Sequence, residues 1–448
     1  MRPGFLRGWT AGCENTRVFP CSIARTGLVV AKEGRGDDYA GQIMNLNRRS
    51  LLKMAGLLSG SRARLRFALE PAAPAKSVYD ELGVRPFINA AGAYTNFGGA
   101  LMRPEVIDAM QDASLHSVSI SELQDAVGKR IAATLGCEAA LVTAGCASSL
   151  TLATAACMAG NDAEKIRRLP DTGGMKNEVI IQRAHRFDYD HAIRNVGAKL
   201  IEVDSVEELK AAVTPRTAML FFLNSSDAKG RIRREEFVRL AKQMEIPSLV
   251  DAAADLPPAE NLWALTKMGF DLVGFSGGKS LGGPQCSGLL LGRKELIEAA
   301  FLNGSPHSDT LGRTSKVGKE EIVGIYRALQ LFVETDHKAE WAEWERRVAV
   351  IAAKVSAVPG VKAEMVVPEV PHHRPQLNIQ WDREKIPVSS KEIVAALRTG
   401  EPRIELPPES EDSANAVNVA VWMLRPGEET IVGQRVAEAF AQRGWSGE

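Results

Sequence analysis

The chain predicts an α/β fold: a mostly parallel seven-stranded sheet with helices on both faces, followed by a smaller α+β carboxyl-terminal lobe. Three observations lead there. Seven short apolar runs alternate with amphipathic windows between residues 121 and 291. Two of those runs lead into chemistry-bearing residues, Asp251 and Lys279. After Arg313 the texture changes to one long helical window and scattered strands.

In chain order, the strand candidates are 139–143, 178–182, 200–203, 218–223, 247–251, 271–275 and 286–291. Helical windows lie at 121–136, 146–159, 186–196, 206–213, 233–244 and 261–268. This alternation is the pattern of a parallel sheet whose crossovers are helices, which cover both faces. A helical window then spans about 319–358. Strands follow at 362–367, 375–381 and 415–421, with helices at 389–398 and 428–443. The expected division is a large domain with an amino-terminal arm over 77–315 and a small α+β domain over 316–448.

Residues 1–76 read as a disordered leader. From Met44 the text MNLNRRSLLKMAGLLSG places Arg48 and Arg49 ahead of a serine, two leucines and a lysine. It resembles a twin-arginine export signal over 44–75, with small residues at 71–75 suited to cleavage. Export to the periplasm is the expectation; a cytoplasmic place is the alternative. No apolar run reaches the roughly 20 residues that a bilayer span needs.

Composition is that of a globular protein, 45% hydrophobic and 25% charged. The 55 basic and 55 acidic residues cancel, so there is no global electrostatic signature for nucleic acid. The six cysteines form no Cys-x-x-Cys pair, and no metal site is read.

A lysine and an aspartate at the carboxyl ends of two neighbouring parallel strands fit pyridoxal phosphate. The lysine forms a Schiff base with the aldehyde, and the carboxylate pairs with the protonated pyridine nitrogen. Lys279 stands among Gly277, Gly278, Gly282 and Gly283, which let a backbone approach a ligand. The strand-to-helix turn Gly145, Cys146, Ala147 and Ser148 offers backbone N–H groups to the phosphate, and Ser276 offers a hydroxyl. His185 follows the strand 178–182 and is expected to stack on the pyridine ring and move protons. Asn96 and Arg403 are candidates for holding substrate.

Together these residues resemble fold type I pyridoxal-phosphate enzymes and, within them, the bacterial selenocysteine synthase (L-seryl-tRNA(Sec) selenium transferase)-like family. The sharpest parts are GVRPFINAAG at 83–92, YTNFGG at 94–99, EAALV at 138–142 and the stretch 271–292. The resemblance implies Lys279 as the Schiff-base lysine, Asp251 as the pyridinium partner, Gly145 to Ser148 with Ser276 as the phosphate cup, and a homodimer or higher homo-oligomer with shared active sites. Gly99 stands where the family motif places an arginine. A cousin in the same group is an ammonia lyase that acts on amino-sugar acid phosphates. The expected activity is β-elimination or replacement on a small amino-acid-like or amino-sugar-acid substrate. The alternatives are selenium transfer on a seryl-tRNA and cofactor binding without catalysis.

Overall fold

The structure is a computed structural model that describes residues 77–369, 371 and 373–441. The expected leader and the stretch that resembles an export signal lie outside the described residues.

The seven predicted apolar runs are all strands: β2 (Ala139–Thr143), β3 (Glu178–Gln182), β4 (Lys199–Val203), β5 (Thr217–Leu223), β6 (Ser248–Asp251), β7 (Leu272–Ser276) and β8 (Gly288–Gly292). A two-residue strand, β1 (Ile88–Asn89), precedes them. The seven form one sheet in the order β2-β8-β7-β6-β5-β3-β4. From β7 to β4 every pairing is parallel, and β8 is antiparallel to both its neighbours.

Successive side chains of a strand point to opposite faces, so a strand covered on both faces is apolar throughout. Phe222, Val250, Val273 and Leu289 enter one core with the helices Ile120–Leu135, Arg234–Gln243 and Asn261–Met268. Their chain neighbours Phe221, Leu249, Leu272 and Leu290 enter a second core with the helices Cys146–Ala159 and Lys294–Leu302. Burying a phenylalanine or leucine fully is worth roughly 1.5–3 kcal/mol, so this two-sided pattern fixes strand register firmly.

The helical window over 319–358 is two helices, Lys319–Glu334 and His337–Val355. Thr335 is extended, and the Asp336 carboxylate accepts from the N–H groups of Lys338 and Ala339, both at 3.1 Å. An N-cap aspartate outweighs the continuous periodicity. The window 186–196 is shorter than expected. It holds a 3-10 turn, Asp188–Asp190, and a four-residue helix, His191–Arg194, because the buried Asp190 carboxylate draws in Arg186 and Arg194.

The carboxyl-terminal block has its own antiparallel sheet in the order β12-β10-β9, from β9 (Val361–Val366), β10 (Gln376–Trp381) and β12 (Ala416–Ala420). Helices His337–Val355, Ser390–Thr399 and Glu428–Ala441 close a third core with it, around Trp344, Leu377, Leu397, Val419 and Phe440. This core also takes Ile88 and Ala90 from before the large sheet, where β1 pairs in parallel with β11 (Ile404–Glu405). Helix Lys319–Glu334 sends Ile322, Ile325 and Phe332 into the large core instead. That helix thus packs with the large sheet rather than with the carboxyl-terminal block. Among the described residues, no helix is long and apolar enough to cross a membrane.

Candidate active site

Parallel strands β5, β6 and β7 end at one edge of the sheet, and that edge holds a cavity of about 520 Å³. In open α/β sheets, ligands bind beyond the carboxyl ends of the strands. Its lining includes Gly145, Cys146, Ala147, Asp251, Ser276 and Lys279, residues that the sequence had singled out from three separate stretches.

At one side of the cavity a helix begins. Gly145 has φ +95°, a conformation that a side chain would strain, and it turns the chain from β2 into Cys146–Ala159. No side chain caps this helix. The first helical bond inside it runs from the Ser149 N–H to the Gly145 carbonyl, so the N–H groups of Cys146, Ala147 and Ser148 have no intrahelical acceptor. Three free donors at the positive end of a helix dipole suit a phosphate. Ser148 itself is buried behind the lining, with its hydroxyl unpartnered.

Asp251 closes β6 and is buried. Its Oδ1 accepts the Ala253 N–H at 2.8 Å and lies 3.7 Å from the Cys146 thiol. Burial pushes its carboxyl above the usual range, opposed by the Ala253 N–H and by Lys279. A cation placed against it would restore the carboxylate.

Lys279 lies three residues beyond β7, the strand beside β6, and Asp251 is in register with Gly274 of β7. The glycines around Lys279 are there for close packing of the loop on itself. A Cβ on Gly277 would collide with Ser287 Oγ and Ile325, and one on Gly278 would lie 2.5 Å from the Gln285 Cα. Gly99, where an arginine was the family expectation, has φ +75°, and a Cβ there would lie 2.7 Å from the Gly278 carbonyl. The Ala100 N–H donates to that same carbonyl at 2.8 Å, so this loop braces the lysine loop through backbone alone.

Three expected residues stand elsewhere. His185 does not line the cavity. It is fully buried, with Nδ1 accepting the Leu223 N–H at 3.2 Å, its ring edge-to-face with Phe222 at 4.4 Å, and Gln182 at its other nitrogen. Burial lowers its pKa to about 4, which favours the neutral imidazole. The 3-10 turn Arg183–His185 rotates the chain, and Phe187 and Tyr189 line the cavity in its place. Asn96 is exposed, and its neighbour Thr95 is in the lining. Arg403 is held by Glu405 and lies over the Phe87 ring at 5.3 Å, away from the cavity.

The sequence reading missed Arg374. Only 3% exposed, it precedes β10 and lies between the rings of Trp422 and Trp344, at 4.1 and 5.5 Å. Its Nη2 donates to Ser280 Oγ, next to Lys279, and its Nε has no partner. Burial lowers its pKa to about 9, with Glu340 the one opposing charge. A buried guanidinium with spare donors and no carboxylate in contact is set for an anionic ligand.

The donor set fits pyridoxal phosphate: free N–H groups for the phosphate, Asp251 for the ring nitrogen and Lys279 for the aldehyde. Comparison with known proteins bears on the fold and the family. A D-glucosaminate-6-phosphate ammonia lyase from Salmonella typhimurium is 29% identical over 336 residues, 72% of this chain and 88% of its own. A 5'-C-glycyluridine monooxygenase-decarboxylase from a Streptomyces species is 33% identical over 299 residues, 64% of this chain and 72% of its own. The solved structure of a D-glucosaminate-6-phosphate ammonia-lyase superposes with a TM-score of 0.72 at 27% identity, covering 82% of this chain and 99% of the other. The family model for L-seryl-tRNA selenium transferase matches residues 87–366. On this extent of match, the chain belongs to the L-seryl-tRNA selenium transferase family of fold type I pyridoxal-phosphate enzymes.

Proposed function

We propose that this enzyme binds pyridoxal phosphate between Lys279, Asp251 and the helix start at Gly145, and eliminates or replaces a group on Cβ of an amino-acid-like or amino-sugar-acid substrate. One observation carries the reading: a single cavity is lined by the amine, the carboxylate and an uncapped helix N-terminus.

When bound, the cofactor supplies an electron-withdrawing ring that acidifies the substrate's Cα–H. The chain's own residues do the rest. Asp251, oriented by the Ala253 N–H, holds a proton on the ring nitrogen. The N–H groups of Cys146 to Ser148, with Ser276 in the lining, hold the phosphate. Lys279 would hold the aldehyde, and its amine, when free, would take the Cα proton. Arg374, bonded to Ser280 behind the lining, would take the substrate's carboxylate through its unfilled Nε. Phe187 and Tyr189 supply the apolar wall that His185 does not.

The test is an absorbance scan of purified protein, followed by borohydride reduction and peptide mapping. The expected result is a visible cofactor band and a pyridoxyl adduct on Lys279, both lost in Lys279→Ala. A colourless protein that takes up no cofactor would refute the reading. The family model also favours selenium transfer on a seryl-tRNA, which predicts a salt-sensitive shift with tRNA.

The same reading has a two-lobed homodimer. Arg48 and Arg49 support export, which cell fractionation would check.

A further inference from the structure

We propose that Asp255 is a further catalytic residue: a buried carboxylic acid that gives its proton to the group leaving from the substrate's Cβ. This rests on the reading of the cavity as an eliminating site.

Asp255 follows Asp251 by one turn of chain and lines the same cavity, 1% exposed. It caps no helix; its carbonyl accepts from Asn261, where the next helix begins. Its side chain is fixed by a directed relay. Arg234 Nη1 donates to Asn224 Oδ1 at 3.0 Å, and a guanidinium can only donate. That settles which way the Asn224 amide points, so its Nδ2 donates to Asp255 Oδ2 at 2.8 Å. The other oxygen, Oδ1, is buried and has no partner. A charged carboxylate oxygen left there is strongly disfavoured, as any unpaired buried charge is. A proton on Oδ1 removes that cost and makes the atom a donor with nothing in the protein to receive its bond.

Burial, with the Asp251 charge adding to it, raises Asp255 to about 7; the Asn224 bond, Lys279 and Arg234 act the other way. An acid balanced near neutrality is suited to give and regain a proton in turnover. No other group in the lining is free for this. Lys279 and Asp251 are committed to Cα and the ring. The Cys146 thiol lies against Asp251 and is raised well above its usual value. Cys286 and Tyr189 are exposed to solvent.

In the step, the substrate's Cα–H bond breaks and the proton goes to the Lys279 amine. The electron pair forms Cα=Cβ, the Cβ–O bond breaks, and the oxygen takes the Asp255 proton and leaves as water. The Lys279 ammonium and the Asp255 carboxylate then reset by passing one proton, with no net oxidation.

The experiment compares holoenzyme and Asp255→Asn on L-serine and β-chloro-L-alanine, because chloride leaves without a proton. Asp255→Asn should lose about 10²–10⁴-fold in kcat/KM on serine and stay within a few-fold on the chloride. Independently of turnover, infrared difference spectra should show a protonated carboxyl band that titrates near pH 7 and is missing in Asp255→Asn. In Asn224→Ala its midpoint should move up, since that variant removes a bond that favours the carboxylate. Equal losses on both substrates, no loss on either, or no titrating band overturns the proposal. Wild-type enzyme inactive on both substrates counts against elimination itself, and the infrared titration then still decides whether Asp255 holds its proton.

Discussion

Arg374 and His185 show opposite uses of burial. Each is a basic side chain taken almost wholly out of water, and burial lowers the pKa of both. His185 meets burial by staying neutral: its Nδ1 accepts a backbone N–H, and its ring joins Phe222. Arg374 stays a cation on two indole faces and one hydroxyl, which offset part of its desolvation. Its Nε is left without a partner, which is the basis for assigning it a ligand's carboxylate. Arg374→Lys keeps the charge and removes the planar fork. Hydrogen bonds to charged groups contribute about 1.5–3 kcal/mol, so KM for carboxylate-bearing substrates should rise roughly 10–100-fold while cofactor absorbance holds. Steady-state kinetics on the reconstituted variant check this, and an unchanged KM would remove Arg374 from substrate binding. Neither role was legible in the sequence. His185 stood at the right edge of the sheet, and only the 3-10 turn decides that Phe187 faces the cavity. Trp344 and Trp422 lie far from Arg374 in the chain, so their convergence on it belongs to tertiary packing.

At the scale of elements, the large sheet was legible because two-sided burial leaves a strong mark. All seven strands were found, with ends within two residues of those observed. Two of the misses share a cause, which is local chemistry overriding periodicity. Asp336 splits a helix that the apolar pattern runs through, and Asp190 shortens another. The two-residue pair β1 and β11 is too short for any pattern to show. The lysine loop was found, and Gly282 has the unusual dihedral expected of its glycines, while Gly277 and Gly278 serve close packing as well. They mark where the loop folds against Ser287 and Gln285, with the Gly277 N–H donating to the Ser287 carbonyl at 2.8 Å. Gly282 differs: its φ is +67°, and a Cβ there would meet nothing within 4 Å. Gly282→Ala should therefore cost only the left-handed backbone strain, about 1–2 kcal/mol, and keep the cofactor. Gly278→Ala must displace backbone and should release the cofactor as Lys279 moves. Cofactor absorbance after dialysis compares the two, and equal retention would show that the loop is looser than its contacts indicate.

For the whole molecule, the distribution of exposed apolar side chains gives the strongest lead. Val78, Leu82, Val84, Leu101, Ile107, Leu115 and Val118 are all exposed, Leu115 by 74%, and all fall between residues 78 and 118. Single exposed apolar residues need no explanation, but seven within one arm of a chain mark a surface that something covers. The cavity has the same incompleteness: Thr95, within that arm, and Gln285 and Cys286 are exposed members of its lining, with Gln285 Nε2 donating to the Thr95 carbonyl at 2.8 Å. A second copy laid over the arm would bury the apolar residues and roof the cavity together, so assembly and activity should fall together. Light scattering on purified enzyme should give a dimer or a higher even assembly. Leu115→Glu, which places a charge in that surface, should shift it toward monomer and cut turnover by an order of magnitude or more, while the far-ultraviolet circular dichroism stays that of the parent. A monomeric parent, or a monomeric variant with full turnover, would mean that each chain completes its own site and that the exposed arm has another use.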